Sequence, residues 1–413
     1  MNNMINKQTK KNIFDKIKKI SDIIIVEETA PISSYETYGV NFISYDNIVI
    51  CGIDDIINFH NLIDEIWTKH KLIQEHFTRK KALEEIIKLA ARNENSIHED
   101  VYNWLDSIEE QAIKDYWIYR EIKGAELSEN KSVKLGPFSI VDKNHHKDNV
   151  IKGSSYIQSN WEHVSNHCKG NLLIGVKVSV KNIDRGYELA NKQFELFENT
   201  IKFIIPNNEM YEVSIVNKIG RLSERSIAIA DNSYNRHNSM SMNGLNSIDF
   251  NSSIFHYTNT WIQDIFSVFE KENRSDVEDR IVSAIDWVGK GLKEVDKDKS
   301  FVQLMFGIEA LLGNNDGSII QPSILSRISE CIAFTLGTDY LSRTKLEKDF
   351  KKLYGIRSAI VHGDKKSVLI GDFMLLKYIV IRLIWAFIKN DELRNCDSIN
   401  NYNEWIKKKR YDI

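Results

Sequence analysis

From residue 254 onward every apolar run in this chain of 413 residues repeats at helical spacing, and none alternates as a strand does. Phe255–Lys271, Asp276–Val295, Ser300–Leu312, Ser323–Leu336, Thr344–His362 and Gly371–Asn390 each read as a helix. Helices in such a series bury their apolar stripes against one another, so the region 254–392 is expected to be an all-α bundle. The part before it is patterned differently. Residues 3–20 are amphipathic and helical in period, whereas Asp22–Val26 and Tyr38–Ile50 are rich in β-branched and aromatic residues and read as strands. Helical spacing returns from Asp54 to Arg92 and from His98 to Lys123. Strands are expected at 133–141, 172–180 and 210–216, with a helix over 184–203. A stretch rich in Asn and Ser, Asp231–Ser253, has few apolar anchors and reads as the loop between domains. The expected architecture is therefore an α+β N-terminal domain (1–250), of one or two subdomains, followed by an all-α helical bundle (254–392). A polar tail (393–413) ends in Lys407–Arg410 and reads as a solvated end.

Composition excludes some functions. A net charge of −3 and a pI near 6.4 argue against a protein that coats nucleic acid by charge alone, but leave room for a local basic patch. The cysteines Cys51, Cys168, Cys331 and Cys396 stand far apart with no CxxC, which fits a reducing, cytoplasmic setting. The N-terminus carries no apolar stretch of signal-peptide length. The longest apolar run, Met374–Ile388, is interrupted by Lys377 and Arg382 and is shorter than the roughly 20 residues a bilayer requires, so it reads as a buried helix and no membrane association is expected.

The segment Thr344–Lys366 carries the most chemical information. Thr344 and Glu347 have capping-box spacing and mark an expected helix start. Leu346, Phe350 and Leu353 form its stripe, Gly355 weakens the helix, and Gly363 is placed to stop it just after His362. RNA cleavage without a metal needs a base for the ribose 2′-OH, an acid for the leaving 5′-oxygen and a fixed cation for the phosphate. Histidine titrates near neutrality and serves as base or acid, and arginine presents a permanent cationic fork to phosphate. Arg357 and His362 supply both types. On an ideal helix five residues turn the side chains about 140° apart. The two do not then share a face, so either the helix is distorted near Gly355 or a second copy of the chain completes the site. The plain alternative is that His362 is only a capping residue.

The phrase Leu353–Gly363 (LYGIRSAIVHG) resembles the signature of HEPN domains, in particular the ApeA-like HEPN family: an arginine, a few residues, then a histidine, late in a helical bundle. Asp279–Leu292, Phe301–Gly313 with Glu309, and Ile324–Gly337 with Arg327 resemble the preceding helices of that family, so the resemblance spans about 270–390, roughly a third of the chain. It implies a homodimer or larger homo-oligomer that places two Arg/His motifs in one cleft. It also implies a metal-independent endoribonuclease with no cofactor, acting on RNA such as tRNA or other single-stranded loops, in anti-phage defence by abortive infection. By that resemblance Arg357 and His362 are the catalytic pair. Ser358, where the family often has Asn, Asp or His, keeps a hydroxyl for phosphate. Control by a phage-derived trigger sensed through the N-terminal domain is expected from the architecture.

Other features have two readings each. Glu309 and Arg327 either serve the site or form a buried pair or hydrogen-bond network that holds the bundle. Tyr354 either stacks on a base or packs in the core. Lys351–Lys352 and Lys365–Lys366 either line an RNA cleft or are solvated surface. His163, His167 and Cys168, with His145 and His146 nearby, have helical spacing that two metal ligands can share, and are weak zinc candidates. Glu121 and Lys123 form an E-x-K that reads as the end of a helix, where a metal-dependent nuclease needs a strand. Neither a phosphate-binding GxxxxGK[ST] loop nor a GxSxG elbow occurs. Two alternatives therefore stand beside the ribonuclease: a non-catalytic RNA-binding scaffold, and a metal-dependent enzyme in the N-terminal domain with the bundle as a dimerisation module.

Overall fold

A computed structural model describes residues 6–26, 37–38, 42–45, 48–92, 96–128, 132–142, 171–206, 211, 213–215, 222–230, 233–241, 246–255, 260–313, 321–363 and 367–411. It is a mixed α/β protein with sheets in its N-terminal region and helices in its C-terminal region. Two compact units emerge: Met1–Ile118 with Lys177–Asn191, and Tyr119–Val176 with Lys192–Ile413.

The first unit starts with α1 (Lys7–Ile23), capped by the Asn6 side chain, which accepts from the Thr9 amide at 2.8 Å. Because α1 runs to Ile23, the strand expected over 22–26 shrinks to β1 (Ile25–Val26). β2 (Thr37–Tyr38), β3 (Phe42–Tyr45) and β4 (Ile48–Cys51) follow, in the antiparallel order β1-β4-β3-β2. Gly52, at φ 91°, then turns the chain into α2 (Ile53–Lys69), and α3 (Lys71–His76), α4 (Arg79–Ala90) and α5 (Ile97–Glu110) complete the helices. Ile13, Ile17 and Ile20 of α1 meet Phe59, Ile63 and Ile66 of α2, Ile86 of α4 and Val101 and Leu105 of α5 in one core.

The helix expected over His98–Lys123 ends at Glu110. β5 (Lys114–Glu121) replaces its second half, where Tyr116, Ile118, Trp117 and Tyr119 put β-branched and aromatic groups on both faces. Helical period alone does not reveal this strand, because its partner lies far along the chain. Glu121 consequently ends a strand, not a helix. The neighbouring strand β9, described below, carries no carboxylate, so the strand pattern of a metal-dependent nuclease is still not met.

His76 is almost completely buried in this unit, and burial, with Lys181 adding to it, pushes its pKa down to about 4. Between about pH 4 and 6.5 the imidazole is thus neutral when folded and charged when unfolded. Stability conferred by this group is intact above the ordinary histidine pKa, near 6.5, and drains away as pH falls towards 4. Over that window the loss is about 3 kcal/mol. Urea titrations at pH 7 and pH 4.5 should show it, and His76→Phe should flatten the dependence; an unchanged slope in that variant would remove His76 as the cause.

In the second unit β6 (Ala125–Glu126), β7 (Ser132–Leu135) and β8 (Phe138–Asp142) follow one another; β9 (Leu172–Val180) begins there and ends in the first unit, and the larger sheet has the order β5-β9-β8-β7. Gly136, at φ 54°, makes the β7–β8 turn, and any Cβ there would lie 2.2 Å from the Phe266 carbonyl oxygen. The helix α6 (Ile183–Ile204) puts Phe197 4.8 Å from Phe138 and 6.0 Å from Phe266, ring centre to ring centre. The strand expected at 210–216 is reduced, among the described residues, to isolated bridges at Tyr211 and Ser214. The stretch 231–253, expected to be a loop, contains two strands: β11 (Ser233–Ser241), which pairs antiparallel with the preceding β10 (Leu222–Ala230), and β12 (Ile248–Asp249), which pairs parallel with β6. Cross-strand pairing formed these strands despite a polar composition.

The helices expected after residue 254 are all present: α7 (Thr260–Glu270), α8 (Asp276–Lys293), α9 (Lys297–Leu312), α10 (Gln321–Leu336), α11 (Tyr340–Val361) and α12 (Ile370–Lys389). A capping box of Ser275 and Glu278 opens α8. The α9 helix is buried by Phe301, Leu304, Met305, Ile308, Leu311 and Leu312, and Gly307 lets it approach α8, where a Cβ would sit 2.7 Å from Val288. Among the described residues no helix is long and apolar enough to cross a membrane. Lys407–Arg410 are exposed, as expected, but the residues before them pack onto the protein. The tail forms α13 (Asp391–Arg394) and α14 (Ile399–Arg410), which bury Leu393, Tyr402 and Ile406, and Arg410 pairs with Glu330 at 2.5 Å.

Candidate active site

The chain reaches Arg357 along an uninterrupted helix. α11 starts four residues earlier than Thr344, at a capping box made by Asp339 and Ser342, because the Asp339 carboxylate takes the Ser342 amide at 2.9 Å. Thr344 instead turns its hydroxyl back onto the Tyr340 carbonyl. Gly355 does not distort the helix: it lies on the exposed face, where a Cβ would meet nothing within 4 Å. The helix ends as its sequence predicts. His362 caps it, its amide bonding the Ser358 carbonyl at 3.0 Å, and Gly363 follows in the left-handed conformation at φ 80°.

Because the helix is regular, Arg357 and His362 diverge as their spacing requires. Arg357 turns towards α9. Its Nη2 donates to Glu309 Oε2 at 3.4 Å, and its guanidinium lies 5.6 Å from the ring centre of Phe306 and 5.7 Å from that of Tyr354. The pair is half-buried, with 21% of the Arg357 and 26% of the Glu309 side chain exposed. Burial raises the Glu309 pKa above the ordinary carboxylate value, and the Arg357 charge opposes that rise. His362 is exposed, and its ring has no hydrogen-bond, ion-pair or ring partner among the described residues.

Other candidates sort as follows. Ser358 is half-buried one residue beyond Arg357. Tyr354 is neither free for a base nor fully in the core: it flanks the guanidinium, with its ring 6.2 Å from Phe350. A Glu309–Arg327 pair does not form. Arg327 Nη2 caps the end of α9 through the Leu312 carbonyl at 2.8 Å, and the partner of Glu309 is Arg357. Lys351 and Lys352 are tied to Glu347 and Asp372. Lys365 and Lys366 lie outside the described residues, as do His145, His146, His163, His167 and Cys168. Among the described residues no group of three or more His, Cys, Asp or Glu could hold a metal ion.

Sequence reasoning did not single out Phe306. The signal was present: Phe306 and Glu309 are three apart on α9 and therefore share a face, so any helix that meets one meets both. What the arrangement offers chemically is a permanent cation held on an aromatic and carboxylate seat, and a separate imidazole at a helix end, open to solvent. Compared with protein-family profiles, curated proteins and solved structures, the chain finds no match.

Proposed function

We propose that this chain is a metal-independent endoribonuclease of the HEPN kind, whose site is completed by a second copy. The observation that carries the reading is the divergence of Arg357 and His362 on an undistorted helix, one half-buried against α9 and the other exposed and without a partner among the described residues. Within one copy the arginine and the imidazole face different ways. Two copies related by a twofold axis bring the histidine of each towards the arginine of the other, as isologous contacts do. Exposed apolar groups support such an association: Val361 beside His362, and Leu369, Ile370, Met374 and Tyr378 along the start and one face of α12.

In the reaction the substrate 2′-oxygen attacks the adjacent phosphorus and the bond from phosphorus to the 5′-oxygen breaks. His362 takes the 2′-OH proton or delivers one to the leaving oxygen, and Arg357 stabilises the charge on the phosphate. The products are a 2′,3′-cyclic phosphate and a 5′-OH end. RNA containing exposed loops, tRNA included, is the substrate class, and abortive defence against phage is the setting. The test is incubation of the purified full chain with end-labelled tRNA and loop RNA in EDTA, with analysis of the ends. Cleavage to cyclic phosphate ends that is lost in Arg357→Lys and His362→Ala is expected. Cleavage that EDTA abolishes, or that both variants retain, would refute the assignment.

A further inference from the structure

We propose that Glu309 is the positioning residue of this site, fixing which edge of the Arg357 guanidinium faces the phosphate. The inference rests on the ribonuclease reading of Arg357 and adds a role for a residue outside the Arg/His motif. Phe306 and Tyr354 flank the guanidinium at 5.6 and 5.7 Å, which limits its movement, but a ring face offers no directed acceptor to fix where each N–H edge points. A planar fork of five donors binds phosphate well only in one rotation. Glu309 supplies the missing constraint, because its Oε2 takes one Nη2 hydrogen and so anchors a single corner of the fork.

The seat of Glu309 is itself fixed. It stands in the last turn of α9, whose terminal carbonyls are capped from two neighbouring helices: Arg280 Nη1 reaches the Gly313 carbonyl at 2.6 Å, and Arg327 Nη2 reaches that of Leu312. The Glu309 carbonyl accepts the Gly313 amide at 2.7 Å. The pair is also poorly built for stability. It is a single contact at 3.4 Å, not a bidentate fork, and Arg357 Nε and Glu309 Oε1 are buried without a hydrogen-bond partner among the described residues. A half-buried carboxylate held so loosely returns little of its desolvation cost. Its geometry makes sense as an orienting contact that leaves the exposed part of the guanidinium for a ligand.

The test compares Glu309→Ala and Glu309→Gln in the full chain, by steady-state cleavage of loop RNA and by NMR of the Arg357 Nε–H group, assigned through Arg357→Lys. Glu309→Gln keeps an acceptor oxygen and should retain most of kcat. Glu309→Ala should lose about 10–100-fold in kcat with KM little changed, as misplacement of a catalytic group does. The Nε–H signal should stay sharp and shifted in wild type and Glu309→Gln, and collapse towards the free-arginine position in Glu309→Ala. Equal kcat in all three proteins overturns the proposal, and so does an Nε–H signal that Glu309→Ala leaves in place. If wild type cleaves no RNA, the ribonuclease reading fails, while the NMR comparison still decides whether Glu309 orients the guanidinium.

Discussion

Replacement of Tyr402 by alanine should destabilise the protein by about 3–5 kcal/mol, the range for removing a large buried aromatic side chain. Nothing in the sequence around it suggests so large an effect, since α14 is mostly Asn, Lys and Glu. Yet Tyr402 has no exposed surface, its ring centre lies 4.9 Å from that of Phe387, and it stacks on Trp405. Its hydroxyl shares a hydrogen bond of 2.8 Å with Thr335, one turn beyond the buried Cys331 on α10. Burial pushes the Tyr402 and Cys331 pKa values up, so both stay neutral throughout the physiological range. Tyr402→Phe keeps the ring and loses only the hydroxyl contact, so it should cost about 1 kcal/mol. Urea unfolding of the three proteins measures both steps. A Tyr402→Ala value within 1 kcal/mol of wild type would mean that α14 is not part of the core.

The second large effect is on rate and leaves stability alone. His362→Ala should lower RNA cleavage by roughly 10²–10⁴-fold, the usual contribution of a positioned acid or base. Its unfolding curve should match wild type, because the imidazole is exposed and the cap depends on the backbone of His362 and Gly363. Arg357→Ala should behave differently. It removes the cation from a half-buried pair and leaves the Glu309 carboxylate without its partner, so activity and stability fall together. Single-turnover cleavage and urea unfolding on the same preparations separate the two signatures. A destabilised His362→Ala would show that the histidine is structural.

The C-terminal helices were legible in sequence because each is a single element whose apolar period is set by its own packing face, as Ile281, Ile285 and Val288 show on α8. The elements that escaped were set by partners distant in the chain. β5 forms because β9 pairs with it some fifty residues later, and β10 and β11 form against each other across a polar stretch. The packing of the tail was hidden for a related reason: the two buried residues of α14, Tyr402 and Ile406, are too few to raise a periodic signal above eight polar neighbours. At the candidate site the residue types and the helix stop at Gly363 were readable. The Glu309–Arg357 contact was not, since it joins positions 48 apart on different helices. The regularity of α11 at Gly355 was also hidden, because the intrinsic penalty of a glycine is small against the packing of Phe350, Leu353 and Ala359 on either side.

If one copy supplies the arginine and another the histidine of each site, two variants that are inactive alone should complement each other when mixed. Arg357→Lys and His362→Ala chains, unfolded together and refolded as an equimolar mixture, should pair at random, so that about half the dimers are mixed. Each mixed dimer contains one site with both changes and one intact site. About a quarter of wild-type cleavage in EDTA should therefore be recovered from two proteins that are each inactive alone. A mixture no more active than its parts, beside an active wild type, would contradict the shared site and place the chemistry, if any, within a single copy.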